Sequence, residues 1–259
     1  MNYLLFHDLL RNLQLVLILG YSASLVNLSL TVLSLAQSQN CHLATLTTVW
    51  PVEGKRESLV QRLRRWLISR NLKRGSYYNP LIEKILVGWK GVELPLVTDR
   101  TDLNTRWSLL LLGIAFKGRV IPLAWLVLPY GSTSAMVQIE LLKQIEPLWR
   151  NFKHLRVTLF ADAEFRAVEL QKYCQKNDWH WQLGVKGDTC FRYPDSNQWQ
   201  PLSTAAPKKG KRAYLHNVYF TKEHDFGLVS LIIDWPTTQK FPRYVVLDHC
   251  ASRPLGGKG

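Results

Sequence analysis

The sequence predicts a mixed α/β fold, preceded by an all-helical N-terminal region and carrying a β-rich insertion. Three observations predict it. Residues 1–85 place apolar side chains at helical spacing and end in a basic run. Residues 92–187 alternate buried-type strands with helical segments, and residues 188–242 are polar and aromatic with short strand candidates. Residues 243–259 add a last strand candidate and a tail.

In the first region no charged residue occurs between Leu13 and Ala36, a length that could cross a bilayer. Gln14, Ser22, Ser24, Asn27, Ser29, Thr31 and Ser34 interrupt it, however. Leu25, Leu28, Val32 and Leu35 recur at helical spacing with the hydroxyls largely elsewhere, as in an amphipathic helix of a globular domain. A signal peptide fits poorly, because Asp8 sits in the would-be basic segment and Arg11 is its only cation. Farther on, Glu57 to Leu67 puts Leu59, Leu63, Trp66 and Leu67 on one helical face, with Arg62, Arg64 and Arg65 mostly off it. Gly75 and then Asn79-Pro80 break the pattern, as a linker would.

In the second region Leu94–Thr98 is a short apolar run. Trp107–Phe116 and Val120–Leu128 flank Lys117-Gly118-Arg119, which reads as a hairpin. Ser134–Trp149 has helical periodicity through Met136, Leu141, Ile145 and Leu148. A strand at Val157–Ala161, a helix at Glu164–Asn177 and a strand at Trp179–Val185 follow. The order is strand, strand, strand, helix, strand, helix, strand. Beyond it, strands are expected at Leu215–Phe220, Leu228–Asp234 and Tyr244–Asp248.

The formal net charge of +14 and pI near 9.8 imply an anionic partner, nucleic acid or an acidic membrane surface. Cys41, Cys174, Cys190 and Cys250 form no C-x-x-C pair, and the seven His form no H-x-x-x-H pair. That argues against a disulfide framework or a zinc knuckle and suits a reducing cytoplasm.

Two carboxylates stand out. Asp99 follows the run Leu94–Thr98, and Asp162 follows Val157–Ala161. An ionised carboxylate at the end of a buried strand is costly unless it is paired or metal-bound. If the two strands are neighbours, both acids emerge at one edge, where hard oxygen ligands suit Mg²⁺. The competing reading of each is a turn or helix-capping residue.

Asp99-Arg100-Thr101 and Asp162-Ala163-Glu164-Phe165 resemble the first two active-site blocks, Asp-x-Thr and Asp-x-x-Phe, of the DDE-type insertion-sequence transposases. Val26-Asn27-Leu28, Glu57-Ser58 and Arg62-Leu-Arg-Arg-Trp-Leu67 are similar to that family's helical, DNA-end-binding region. The resemblance implies a ribonuclease H-like mixed sheet, with Asp99 and Asp162 as metal ligands. It implies Mg²⁺, with Mn²⁺ as the alternative, in two-metal cleavage at transposon ends and strand transfer to target DNA. Double-stranded DNA, a homodimer that synapses two ends, and a cytoplasmic, nucleoid-associated setting in a prokaryotic cell follow from it, with no membrane partner.

The family's third carboxylate, a Glu in Tyr-x2-Arg-x3-Glu-x6-Lys, has no match here, and Ser252–Gly259 reads as a frameshifted or truncated terminus. Asp234 and Asp248 lie in strand-like runs rather than on a helix. Candidate phosphate contacts are Arg62, Arg64, Arg65, Arg100, Lys186, Lys208, Lys209, Lys211 and Arg212. Arg100 reads equally as a partner of Asp99 or Asp102. Asp102 and Glu164 read as surface or capping residues, and His249-Cys250 as incidental. Two rival readings remain: an inactive copy that only binds DNA, and a basic membrane-associated protein held by residues 13–36.

Overall fold

A computed structural model of the chain describes residues 3–17, 22–70, 74–223 and 226–248. The chain divides into two compact units, Met1–Trp89 and Lys90–Gly259. His249-Cys250 and the tail Ser252–Gly259 lie outside the described residues.

The first unit is helical: α1 (Tyr3–Leu17), α2 (Ala23–Ser38), α3 (Leu43–Thr48), α4 (Arg56–Leu67) and α5 (Arg74–Val87). Leu30, Leu46, Trp50, Leu63 and Trp66 form one core cluster, and Leu10, Leu17 and Leu25 a second. Three details depart from the helical-spacing expectation. On α2, Val32 and Leu35 are exposed, while Ser29 and Ser34 are fully buried beside Leu30 and Leu33. Burial of those hydroxyls is tolerable because each donates to the carbonyl four residues back, Ser29 Oγ to Leu25 O at 3.0 Å and Ser34 Oγ to Leu30 O at 2.7 Å. On α4, Leu67 is exposed and Leu63 and Trp66 alone are buried. Asn79-Pro80 is no linker: α5 runs through Pro80. The lost backbone bond is offset by packing, since Tyr77 and Leu81 cover the second cluster and Ile82 and Leu86 are buried. Trp66 Nε1 and Tyr77 Oη both donate to Ser24 Oγ at 2.8 Å, tying α4 and α5 to α2. Among the described residues no helix is long and apolar enough to cross a membrane.

The second unit is a ten-stranded mixed sheet with helices. Its elements are β1 (Glu93–Asp102), β2 (Trp107–Phe116), β3 (Arg119–Pro129), α6 (Ala135–Lys143), α7 (Glu146–Trp149), β4 (Arg156–Ala161), α8 (Val168–Lys176) and β5 (His180–Val185). Then come β6 (Cys190–Arg192), β7 (Gln200–Pro201), β8 (Arg212–Phe220), β9 (Leu228–Asp234) and β10 (Arg243–Leu247). The sheet order is β3-β2-β1-β4-β5-β10-β9-β8-β6-β7. β1, β2 and β3 are antiparallel, and β1, β4 and β5 are parallel. That 3-2-1-4-5 half is the ribonuclease H-like arrangement, and the β-rich insertion extends the same sheet through β10.

Local chemistry explains the turns and breaks. Lys117 and Gly118 both have positive φ (47° and 73°), the two-residue turn that suits strand twist. The stretch Ser134–Trp149 is two helices rather than one, and Met136 points to solvent at 82% exposure. Gln138 takes the inward position instead, its Nε2 donating to Thr133 Oγ1 at 3.0 Å and to Glu164 O at 3.4 Å. Glu164 precedes α8 in a 3-10 turn, Ala163–Phe165. Alternation along β1, β2 and β5 puts Leu94, Leu96, Leu110, Leu112, Trp181 and Leu183 on the face that carries α6 and α8. Val97, Leu111, Phe160, Gln182 and Val245 share the opposite, half-buried face.

Candidate functional site

β1 ends its hydrophobic alternation at Thr98, and β4 ends at Ala161; these two residues are the last pair of the parallel β1–β4 ladder. Asp99 and Asp162 are the next residue of each chain, so both acids stand on neighbouring strands, which lie about 4.8 Å apart. Both are exposed. They line a cleft of about 490 Å³ together with Val97, Thr98, Phe160, Ala161, Gln182, Gly184 and Val245.

Each carboxylate has one oxygen committed. Asp99 Oδ1 accepts from the Arg100 N–H at 2.8 Å, and Asp162 Oδ1 from the Glu164 N–H at 2.9 Å. Asp162 is therefore also the N-cap of its 3-10 turn, so its capping reading and its ligand reading coexist. Among the described residues Oδ2 of each accepts no hydrogen bond. Gly184 on β5 is the third wall. A Cβ there would lie 3.0 Å from Ala163 N and 3.1 Å from Asp162 C, so only glycine lets the Asp162 main chain come this close. Sequence reasoning passed over Gly184, which is a single glycine in an apolar run.

No cluster of three or more metal-ligating side chains occurs among the described residues. Asp248 sits at the far end of β10 from the cleft, since Val245 is opposite Gly184, and its Oδ2 lies 2.9 Å from His180 Nδ1. Asp234 ends β9, three strands from β4, and holds Arg212 Nε at 2.9 Å. Neither joins Asp99 and Asp162.

The cations divide into engaged and free. Arg100 is ion-paired with Glu164 at 2.9 Å and with Asp102, and only 20% of its side chain is exposed. The hydrogen bond it donates to Glu164 holds its guanidinium above the ordinary value. Burial raises the Glu164 pKa, but bonds from Arg100 and from the Thr133 N–H and hydroxyl outweigh it, leaving that carboxyl below its ordinary value. Asp234, followed by Tyr214, likewise pushes Arg212 up. Arg62 donates to Asn27 Oδ1 at 2.9 Å and lies over the Trp50 ring at 5.5 Å. By contrast Arg64, Arg65, Lys186, Lys208, Lys209 and Lys211 are exposed and form no ion pair among the described residues. The three lysines surround Gly210, whose φ of 83° makes a tight turn closed by Lys211 N–H to Lys208 O at 3.0 Å.

No family model and no curated protein matches the chain. Among solved structures, one similar to it is a piggyBac transposase synaptic complex with hairpin DNA, at 10% identity and a TM-score of 0.42. The likeness covers 97% of this chain and 60% of that one, so this chain spans about three fifths of that protein's length. A likeness of that size transfers neither activity nor residue roles.

Proposed function

We propose that the chain is a DNA transposase of an insertion sequence, with Asp99 and Asp162 as its divalent-cation ligands. The observation that carries this reading is the pair itself: two acids one step beyond the last β1–β4 ladder pair, each with an oxygen unbonded, on a single cleft. Mg²⁺ is commonly held by one or two carboxylates, with water and substrate phosphate completing six ligands, so this donor set fits Mg²⁺ or Mn²⁺. When bound, such cations activate the attacking oxygen and stabilise the leaving one in phosphodiester cleavage.

The chain's own residues have separable tasks. Asp99 and Asp162 hold the cation-facing oxygens, and Gly184 keeps the Asp162 segment in place. Lys186, Lys208, Lys209 and Lys211 on the sheet unit, and Arg64 and Arg65 on α4, contact phosphates, which orients duplex DNA without reading its sequence. The helical unit binds the transposon ends, residues 92–187 form the catalytic core, and residues 188–242 are its β-rich insertion. Two protomers hold two ends, in the cytoplasm at the nucleoid.

A second reading, DNA binding without cleavage, draws on the lack of a third ligating side chain beside the pair among the described residues. Supercoiled plasmid incubated with the full chain and Mg²⁺ or Mn²⁺ separates the two. Nicking that disappears in Asp99→Asn supports the enzyme. Plasmid retardation that fades with salt, without nicking, supports the second reading, and neither behaviour sinks both.

A further inference from the structure

The β1–β4 ladder stops at Thr98 and Ala161, so no main-chain bond of that ladder ties Asp99 to Asp162. Asp99 is carried in the β1–β2 ladder, opposite Leu111, and Asp162 caps its own 3-10 turn, so a direct tie between the two has to come from side chains. Two side chains next to the acids in the chain supply one. Arg100, whose N–H holds Asp99 Oδ1, places its Nε 2.9 Å from both carboxylate oxygens of Glu164. Glu164 is the residue whose own N–H holds Asp162 Oδ1. Each partner thus grips one catalytic-site acid with its backbone and the other partner with its side chain.

The pair is itself anchored. Thr133, in the β3–α6 connection, donates to Glu164 Oε1 through its N–H at 3.0 Å and its hydroxyl at 2.9 Å. Gln138 of α6 donates to Thr133 Oγ1 at 3.0 Å. The other end of the guanidinium meets Asp102, which Ser108 Oγ holds at 2.7 Å.

We propose that Arg100 and Glu164 are positioning residues: a cross-strand strut that fixes the separation and orientation of the Asp99 and Asp162 carboxylates for a divalent cation. The proposal rests on the cation-site reading above. It removes Arg100 from the phosphate contacts, because its guanidinium is engaged on the helix-covered side of the sheet. A strut that only stabilised the fold would behave like the Arg156–Glu93 pair, which bridges the same two strands at their opposite ends, also at 2.9 Å.

Mn²⁺ titration of the full chain, followed by electron paramagnetic resonance of the free ion, tests this, with melting temperature recorded for every variant. Asp99→Asn and Asp162→Asn report whether the pair binds Mn²⁺ at all; wild-type binding that both abolish establishes the site. Glu164→Gln and Arg100→Lys, which keep size or charge but lose the two-oxygen grip, are expected to weaken Mn²⁺ about tenfold, the usual effect of losing a residue that orients a metal ligand. Arg156→Ala is expected to leave Mn²⁺ affinity unchanged. If Glu164→Gln or Arg100→Lys stays folded and binds Mn²⁺ as wild type does, or if Arg156→Ala weakens binding as much, the strut is refuted while the cation site stands. If wild type binds no Mn²⁺, or Asp99→Asn binds it equally, the cation site falls and the strut with it. Should Glu164→Gln not fold, Glu164→Asp, which keeps the charge one methylene short, is read on the same terms.

Discussion

Gly184 stands where β5 passes so close to the Asp162 turn that a side chain must move main-chain atoms. A Cβ at 184 would meet Ala163 N at 3.0 Å, Asp162 C at 3.1 Å and Asp162 Cα at 3.2 Å. No rotamer relieves those contacts, so the 162–163 peptide itself has to retreat. Overpacking of this kind costs about 1–3 kcal/mol. Replacing a strand glycine returns roughly 0.5–1 kcal/mol of backbone entropy. Gly184→Ala is therefore expected to destabilise the sheet unit by about 1 kcal/mol net. The larger Gly184→Val is expected to cost about 2–3 kcal/mol. Urea unfolding followed by tryptophan fluorescence reads both as shifts in midpoint at constant slope. Because the displaced atoms carry Asp162, Mn²⁺ affinity is expected to fall in Gly184→Ala as well. An alanine variant as stable as wild type, with unaltered Mn²⁺ affinity, refutes the close-approach argument.

Three further outcomes are expected. Replacing Lys208, Lys209 and Lys211 by Gln should flatten the dependence of log K on log salt for duplex DNA by up to about 3, since each phosphate contact contributes about 0.9; fluorescence anisotropy across a salt series checks it, and an unchanged slope removes that turn from the DNA-binding surface. Arg62→Ala should lower the stability of the helical unit by about 1 kcal/mol through loss of its bond to Asn27, while leaving the salt slope intact; a slope that drops with no loss of stability contradicts its structural assignment. Burial, with the Asp248 charge behind it, pushes the Cys174 thiol from an ordinary 9.0 up to about 12. The folded state thus holds that proton more tightly, and the stability this adds is complete below about pH 9 and lost as pH rises toward 12. Alkylation at pH 9 with peptide mapping should modify exposed Cys41 and spare Cys174; equal modification of both counts against it.

The strand and helix order was legible because alternation and period are local properties. Leu94–Thr98 and Val157–Ala161 announced two buried strands, and the acids that follow could be placed at their ends without knowing any partner. Less legible was whatever depended on a residue far along the chain. Arg100 reads as a phosphate contact or as a partner of Asp99 or Asp102, and the Asp102 pair is there, but nothing local points to Glu164, 64 positions later, just as nothing near Arg62 points to Asn27. Hydropathy put Val32 and Leu35 inside and Ser29 and Ser34 outside, because it cannot see a hydroxyl satisfied by its own helix. Met136 was misplaced for the converse reason, an amide at Gln138 having found two partners in the interior. Pro80 was misread as a boundary because its cost is local while the packing of Tyr77 and Leu81 that offsets it is not.

β10 has a consequence for how the sheet is made. It lies between β5 and β9, pairing antiparallel with both, yet among the described residues it comes after every other strand. Until residues 243–247 are in place, the sheet is two separate pieces, β1 to β5 and β6 to β9, with no strand joining them. Val245 meets Gly184 only after the intervening chain has closed a loop of about sixty residues, an entropic toll that delays such pairings relative to the hairpins on either side. The order of synthesis and the order of assembly therefore differ: both pieces can form on the ribosome before β10 emerges, each with a bare strand edge open to the wrong neighbour, and β10 works as a keystone that closes two of those edges at once.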